Sequence, residues 1–389
     1  MHAGQLVFAQ LLDYLPSWQF RQCVARHDGE RRVRSFSCRE QFIVMAFAQL
    51  TFRESLRDIQ TCLGSVSAKL YHVGLKSSAA RSTLADANEN RPWQIWADLA
   101  AVLIAEARSL YAEEPFGLRL KNSVYAFDTT TIDLCLTLFP WCQFRRHKSA
   151  VRLHTLLDLR GNIPCFIAIT GGLTHETNLL DELPLEPGSY YLMDRGFVDF
   201  PRLYRFTIEH AYFVTRAKSN MDYRVRESRA VDAAAGLRAD QSIRLCGPLT
   251  RKKYPDLLRR ISYVDPESGK RLVFLSNNFV LAASTICRLY HCRWQVELFF
   301  KWIKQYLRIK AFFGTSANAV KTQVWIAVCV YVLVAIVRKR LKLELSMGEM
   351  LQILSMTLFE KTPLFQAFSR EVVRIDPIEN HKPLPLLEI

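Results

Sequence analysis

The stretch Tyr290–Lys304, YHCRWQVELFFKWIK, organises the reading of the whole chain. It contains neither Gly nor Pro, and its apolar density predicts a helix, here laid out at about 100° per residue. With Arg293 at zero, Lys304 falls near ~20°, Glu297 near ~40° and Tyr290 near ~60°. Four polar or ionisable side chains therefore share one narrow stripe. Trp294, Val296, Leu298, Phe299, Phe300, Trp302 and Ile303 fill most of the remaining circumference, which predicts a buried helix. A buried charge without a partner is strongly unfavourable. The stripe is thus expected to face another charged surface or a polar ligand. A plain Arg293–Glu297 ion pair at i, i+4 spacing is the bland alternative.

The rest of the chain bounds what that surface can be. The 389 residues predict two or three domains. Half of them are hydrophobic, enough for sizeable cores, and the formal charge of +15 with a pI of about 9.4 points to a polyanionic partner. The longest apolar run, Val324–Val337, has 14 residues, short of the roughly 20 that span a bilayer, and reads as a core helix. The N-terminus lacks a basic leader region and carries Asp13. Ten scattered cysteines form no CxxC pair and no His–Cys cluster, which predicts a reducing, cytoplasmic setting.

Residues 1–118 read as helical. Ser37 followed by Glu40 predicts a capped helix through FIVMAFAQL. Short helices follow over 53–62 and 65–71, and Gly74 breaks the pattern. Ser77 and Ser78 offer a cap for a helix over Ala79–Asn88. The arrangement suggests a helix-turn-helix whose last helix presents Arg81, Ser82, Thr83 and Asn88 to DNA. A plain bundle with solvated polar faces fits the same pattern. Pro92 opens one more helix, Trp93–Tyr111.

Near Lys121 the pattern turns to strands. Ser123–Phe127 ends at Asp128. After a basic insert (Arg145, Arg146, Lys148), Val151–Leu159 and Ile163–Thr170 flank Arg160-Gly161-Asn162, a hairpin signal. Ser189–Met193 ends at Asp194, followed by a helix from about Pro201 and a strand from Tyr212. This order predicts an α/β fold with a mixed sheet and acidic residues at two strand ends. Residues 218–284 read as an insertion, 285–345 as helices returning to the core, and 346–389 as a last helix with a loose, proline-bearing tail.

Three carboxylates stand out: Asp128, Asp194 and Glu297. Hard divalent cations take oxygen ligands, and two such ions can clamp the attacking and leaving oxygens of a phosphodiester. Asp133 is a rival first ligand, with Asp128 preferred because it directly ends the apolar run, and for either aspartate alone the turn or cap reading wins.

Tyr290, Arg293, Glu297 and Lys304 have the spacing Y-(2)-R-(3)-E-(6)-K, which resembles the signature of the "IS-four" family of bacterial insertion-sequence transposases. FDTTTIDL around Asp128 and YLMDRGF around Asp194 resemble the contexts of that family's two catalytic aspartates. The resemblance covers roughly residues 1–345. It implies a ribonuclease-H-like core over 119–217 and 285–345, interrupted by a β-rich insertion. It also implies a metal-binding triad of Asp128, Asp194 and Glu297 holding two Mg²⁺ (or Mn²⁺), and DNA contacts from Tyr290, Arg293 and Lys304. Double-stranded DNA would be the partner, as inverted-repeat ends and as target, with a homodimer in the synaptic complex and a nucleoid-associated location. Relatives that pass through a DNA hairpin can hold a flipped base on an insertion Trp. Residues 195–289 contain no Trp, and Tyr263, Phe274 or Phe279 is the candidate replacement. A repressor that has lost catalysis and a structure-selective nuclease are the alternatives from other classes.

Overall fold

The computed structural model describes residues 4–369 except 32, 119, 146–147, 267 and 307–311. The expected tail beyond residue 370 and the side chains of the basic insert 145–148 lie outside the described residues. Ten strands form one sheet: β1 (Val124–Leu134), β2 (Gln143–Arg145), β3 (Lys148–Asp158), β4 (Ile163–Gly171), β5 (Tyr190–Met193), β6 (Tyr212–Arg216), β7 (Tyr223–Arg229), β8 (Leu237–Leu245), β9 (Leu258–Val264) and β10 (Arg271–Ser276).

Across the sheet, β4, β3, β1, β5 and β6 lie side by side. The β1–β3 and β3–β4 pairs are antiparallel, whereas β5 and β6 run parallel to β1. Hairpin strands on one side and parallel strands on the other give the mixed sheet that the strand order predicts, in keeping with the ribonuclease-H-like core that the family resemblance implies. The β3–β4 turn depends on its glycine. Gly161 has φ +80°, and a Cβ there would meet the Tyr111 ring at 2.2 Å.

The insertion is no separate body. Its strands β7–β10 form an antiparallel meander that extends the same sheet, joined through β10 and β6 with Phe274 opposite Arg216. The second expected strand end is observed: β5 stops at Met193, directly before Asp194. The first is not. β1 runs seven residues deeper than the apolar run suggested, because Asp128 to Leu134 keep pairing with β3 after the parallel pairing to β5 has ended at Phe127–Met193. Asp128 therefore sits where β1 loses one neighbour and keeps the other. Asp133, an odd number of residues further along, points to the face opposite Asp128 and is exposed.

The N-terminal region is helical, with Ser17–Arg26, Cys38–Leu50, Leu56–Ser65, Arg81–Asn90 and Gln94–Leu110 as its longer elements. Ser37 and Glu40 make a reciprocal capping box on Cys38–Leu50. Neither Ser77 nor Ser78 caps the helix at Arg81; the Gln60 side chain accepts the Arg81 N–H instead, at 3.0 Å. The Val324–Val337 run lies within the helix Ala317–Arg340. That helix is long and apolar enough to cross a membrane, but 89% of its most apolar window is buried inside the fold. It packs on Gln94–Leu110 and Cys38–Leu50, so burial of its Val, Ile and Leu side chains joins the N-terminal helices to the sheet.

Candidate active site

The quoted stretch is two helices, Ala283–Cys292 and Trp294–Tyr306, meeting at Arg293. The joint is a tightened turn. Arg293 N–H donates to the Tyr290 carbonyl, and Val296 N–H to the Arg293 carbonyl, each at 3.1 Å and each spanning three residues rather than four. Tyr290 thereby reaches Asp194, directly after β5, while Arg293 reaches Asp128 on β1.

The Tyr290 hydroxyl donates to Asp194 Oδ1 at 3.2 Å. Arg293 bridges the other two carboxylates: Nη1 donates to Asp128 Oδ2 at 3.1 Å, and Nη2 to Glu297 Oε1 at 2.5 Å. The Arg293 guanidinium also lies 5.6 Å from the centroid of the Tyr290 ring. Lys304 Nζ donates to the Thr131 carbonyl of β1 at 3.0 Å. The bland i, i+4 pair is thus present, but it is half of a bridge to Asp128, so the polar stripe does face a charged surface. The buried helix is half right. Val296, Phe299, Phe300, Trp302 and Ile303 are buried, whereas Trp294 is 58% and Leu298 45% exposed, because that side of the helix faces solvent rather than the core.

Burial pushes the Asp128 carboxyl up to about 6, assisted by the neighbouring charges of Glu297 and Asp194 and opposed by the Thr129 N–H and Arg293. Its Oδ1 accepts the Thr129 N–H at 2.8 Å. Beneath this strand lies a group the sequence reading passed over. His154 is fully buried, with Nδ1 2.7 Å from Thr129 Oγ1 and Nε2 2.9 Å from Thr170 Oγ1. Burial, with the charge of Arg152, pushes its pKa down to about 4, so it is a neutral cross-brace through β1, β3 and β4. A lone histidine in an alternating strand carries no spacing signal that would have revealed it.

The donor chemistry of the bay suits a hard divalent cation: carboxylate oxygens from two strands and a helix, with a guanidinium already acting as a cation between two of them. Among the described residues, no three carboxylates are grouped closely enough to ligate one ion as they stand.

The other expected site residues divide. Arg81, Ser82 and Thr83 are exposed, and Arg81 and Ser82 line a cleft of about 520 Å³ with Ser55, Arg57, Phe312 and Phe313. Asn88 is not available to DNA: it is 2% exposed and accepts from Gln41 Nε2 at 2.8 Å inside the helical core. The helices Leu56–Ser65 and Arg81–Asn90 pack together but are joined by residues 66–80, which include a 3₁₀ segment, rather than by a tight turn. Of the candidate stacking faces, Phe274 is fully buried, and Tyr263 packs against it and His291. Phe279 is 37% exposed beneath Arg229.

Residues 119–333 match the family described as a transposase DDE domain, and residues 3–76 match a family described as a domain of unknown function. A protein of Sinorhizobium fredii named as a transposase is 29% identical over 73% of this chain and 79% of its own length. A protein of Geobacillus stearothermophilus named as a transposase for an insertion sequence element is 28% identical over 65% of this chain and 66% of its own. The piggyBac transposase, solved in a synaptic complex with hairpin DNA, covers 92% of this chain and 80% of its own at 11% identity and a TM-score of 0.45. More than half of the chain falls within the first of these families, whose members generally depend on divalent metal. The chain belongs to the DDE transposases, of the IS-four type.

Proposed function

We propose that the protein binds the terminal inverted repeats of its own insertion sequence and moves that element by cut-and-paste transposition. Asp128, Asp194 and Glu297 hold two divalent ions, Mg²⁺ with Mn²⁺ as substitute. The observation that carries this reading is the continuity of the polar contacts. Tyr290 meets Asp194, while Arg293 meets both Asp128 and Glu297, so both aspartate contexts and the helix signature belong to one bay.

A metal pair held by Asp128, Asp194 and Glu297 would activate the attacking oxygen, of water or of a DNA 3′-hydroxyl, and would offset the charge on the leaving oxygen. The chain's own residues do the positioning. Asp194 is fixed by the Tyr290 hydroxyl, and Asp128 by the Thr129 N–H. Arg293 and Lys304 supply cations at the bay's rim, suited to phosphates near the transposon end. Trp294, exposed and adjacent to Arg293, offers a Trp stacking face, a residue type that the insertion lacks.

Residues 1–118 act as the DNA-binding region through Arg81, Ser82 and Thr83. Residues 119–217 and 285–345 form the catalytic core, 218–284 its insertion and 346–389 a C-terminal helix and tail. Two copies pair two ends, in the cytoplasm at the nucleoid. The test is cleavage of a labelled end of the parent element by purified protein with Mg²⁺. Sequence-specific cleavage by the wild type, absent in Glu297→Gln, supports the reading. Binding without cleavage in both would indicate a repressor instead.

A further inference from the structure

We propose that Arg293 is a removable plug for the metal seat: without DNA its guanidinium occupies the space between Asp128 and Glu297, and binding of the transposon end draws it onto a phosphate and opens the seat. This rests on the proposed role of those two carboxylates as metal ligands.

Three observations carry it. First, one guanidinium spans carboxylates from two different elements, β1 and the helix Trp294–Tyr306, at 3.1 and 2.5 Å. A divalent ion and a guanidinium compete for the same oxygens, and their mutual repulsion prevents both from lying between them. Second, the bridge is incomplete. Arg293 Nε is buried and has no hydrogen-bond partner, unlike an arginine built into a permanent network. A phosphate accepts the same planar fork of donors that a carboxylate does, so DNA can take over the guanidinium without loss of its hydrogen bonds. Third, Arg293 stands at the tightened joint between two helices, beside a bay in which Glu297 is 33% and Asp128 20% exposed at the side chain. The exchange therefore needs a side-chain swing rather than unfolding.

By linkage, DNA that removes the plug strengthens metal binding, and metal strengthens DNA binding by the same factor. Strand cleavage is then confined to protein already seated on an end.

The experiment is calorimetric titration of the full-length protein with Mn²⁺, with and without a duplex carrying the element's terminal repeat. Wild type, Arg293→Gln, Arg293→Lys and Glu297→Gln are compared, and thermal melts confirm that each is folded. Without DNA, Arg293→Gln should bind Mn²⁺ about ten-fold more tightly than wild type, a coupling of ordinary allosteric size. Arg293→Lys, a point charge that cannot fork across two carboxylates, should also bind more tightly. DNA should tighten Mn²⁺ binding in the wild type and have little effect in Arg293→Gln. If neither folded variant binds Mn²⁺ more tightly than wild type, or if DNA leaves wild-type affinity unchanged, the plug is refuted. If Glu297→Gln binds Mn²⁺ as well as wild type, the assignment of the metal ligands fails first, and the plug with it.

Discussion

Arg259 and Arg293 are both bound to carboxylates, and the two are built differently. Arg259, on β9 in the insertion, is 3% exposed. It forks onto Asp240 at 2.9 and 2.7 Å, and its remaining donors reach the carbonyls of Asn278 and Leu281. Arg293 is 13% exposed, divided between two carboxylates, with one nitrogen unpartnered. The first arrangement satisfies every donor group from one neighbourhood and fixes the insertion strands against the segment that leads into the helix Ala283–Cys292. The second joins two partly exposed carboxylates from different elements, with side chains 20% and 33% exposed. Complete satisfaction marks an arginine that holds structure; partial satisfaction, beside solvent, marks one that can exchange partners.

Arg259→Ala should have the largest effect on folding. It leaves Asp240 buried, with only Arg229 at 3.4 Å nearby, and should cost about 3–5 kcal/mol in urea denaturation. Arg293→Ala should cost less than Arg259→Ala, because its partner carboxylates remain partly exposed; equal losses at the two positions would erase the distinction. Next, Glu297→Gln and Asp194→Asn should each lower cleavage of an end fragment on the order of 10²–10³-fold, while gel-shift affinity for the same fragment is retained.

His154 gives a pH test of the sheet that carries the bay. Its folded pKa, about 4, lies below the ordinary 6.5, so the neutral ring contributes stability that is fully present above pH 6.5. That stability is lost as pH falls through 4, by roughly 3 kcal/mol. In His154→Gln this component of the acid sensitivity should disappear from melts recorded between pH 7 and 4. The smallest effect is expected at the N-terminal cleft, where Arg81→Ala should weaken DNA binding and lower the salt-dependence slope by about 1. An unchanged slope would move DNA recognition off that helix.

The grouping of the candidate residues was legible because its chemistry is unusual for its setting. An ionisable stripe on an otherwise apolar helix demands a facing charge, and Asp194 directly follows a short, fully buried strand. The extent of β1 was not legible. Beyond Asp128, the TTTIDL run faces a hairpin partner on one edge and the bay on the other, so its burial alternates weakly and the apolar signal ends early. Asn88 was misread because its helix is mostly polar; only the packing against Gln41 and Met45 turns it inward. The insertion looked irregular because β7 is an edge strand whose central residues, Arg224 to Ser228, are all exposed, leaving no alternation to detect.

The long helix Ala317–Arg340 bears on how this chain is made. Its partners Cys38–Leu50 and Gln94–Leu110 leave the ribosome first, and residues 111–316 must be synthesised before it appears. Until then those early helices present uncovered apolar faces, a state open to chaperones and to aggregation. A transcript truncated anywhere before residue 317 therefore yields an N-terminal region whose core lacks its centre. Such a product would be a poor competitor for the element's ends, since the part that would recognise DNA is completed only when the last helices arrive.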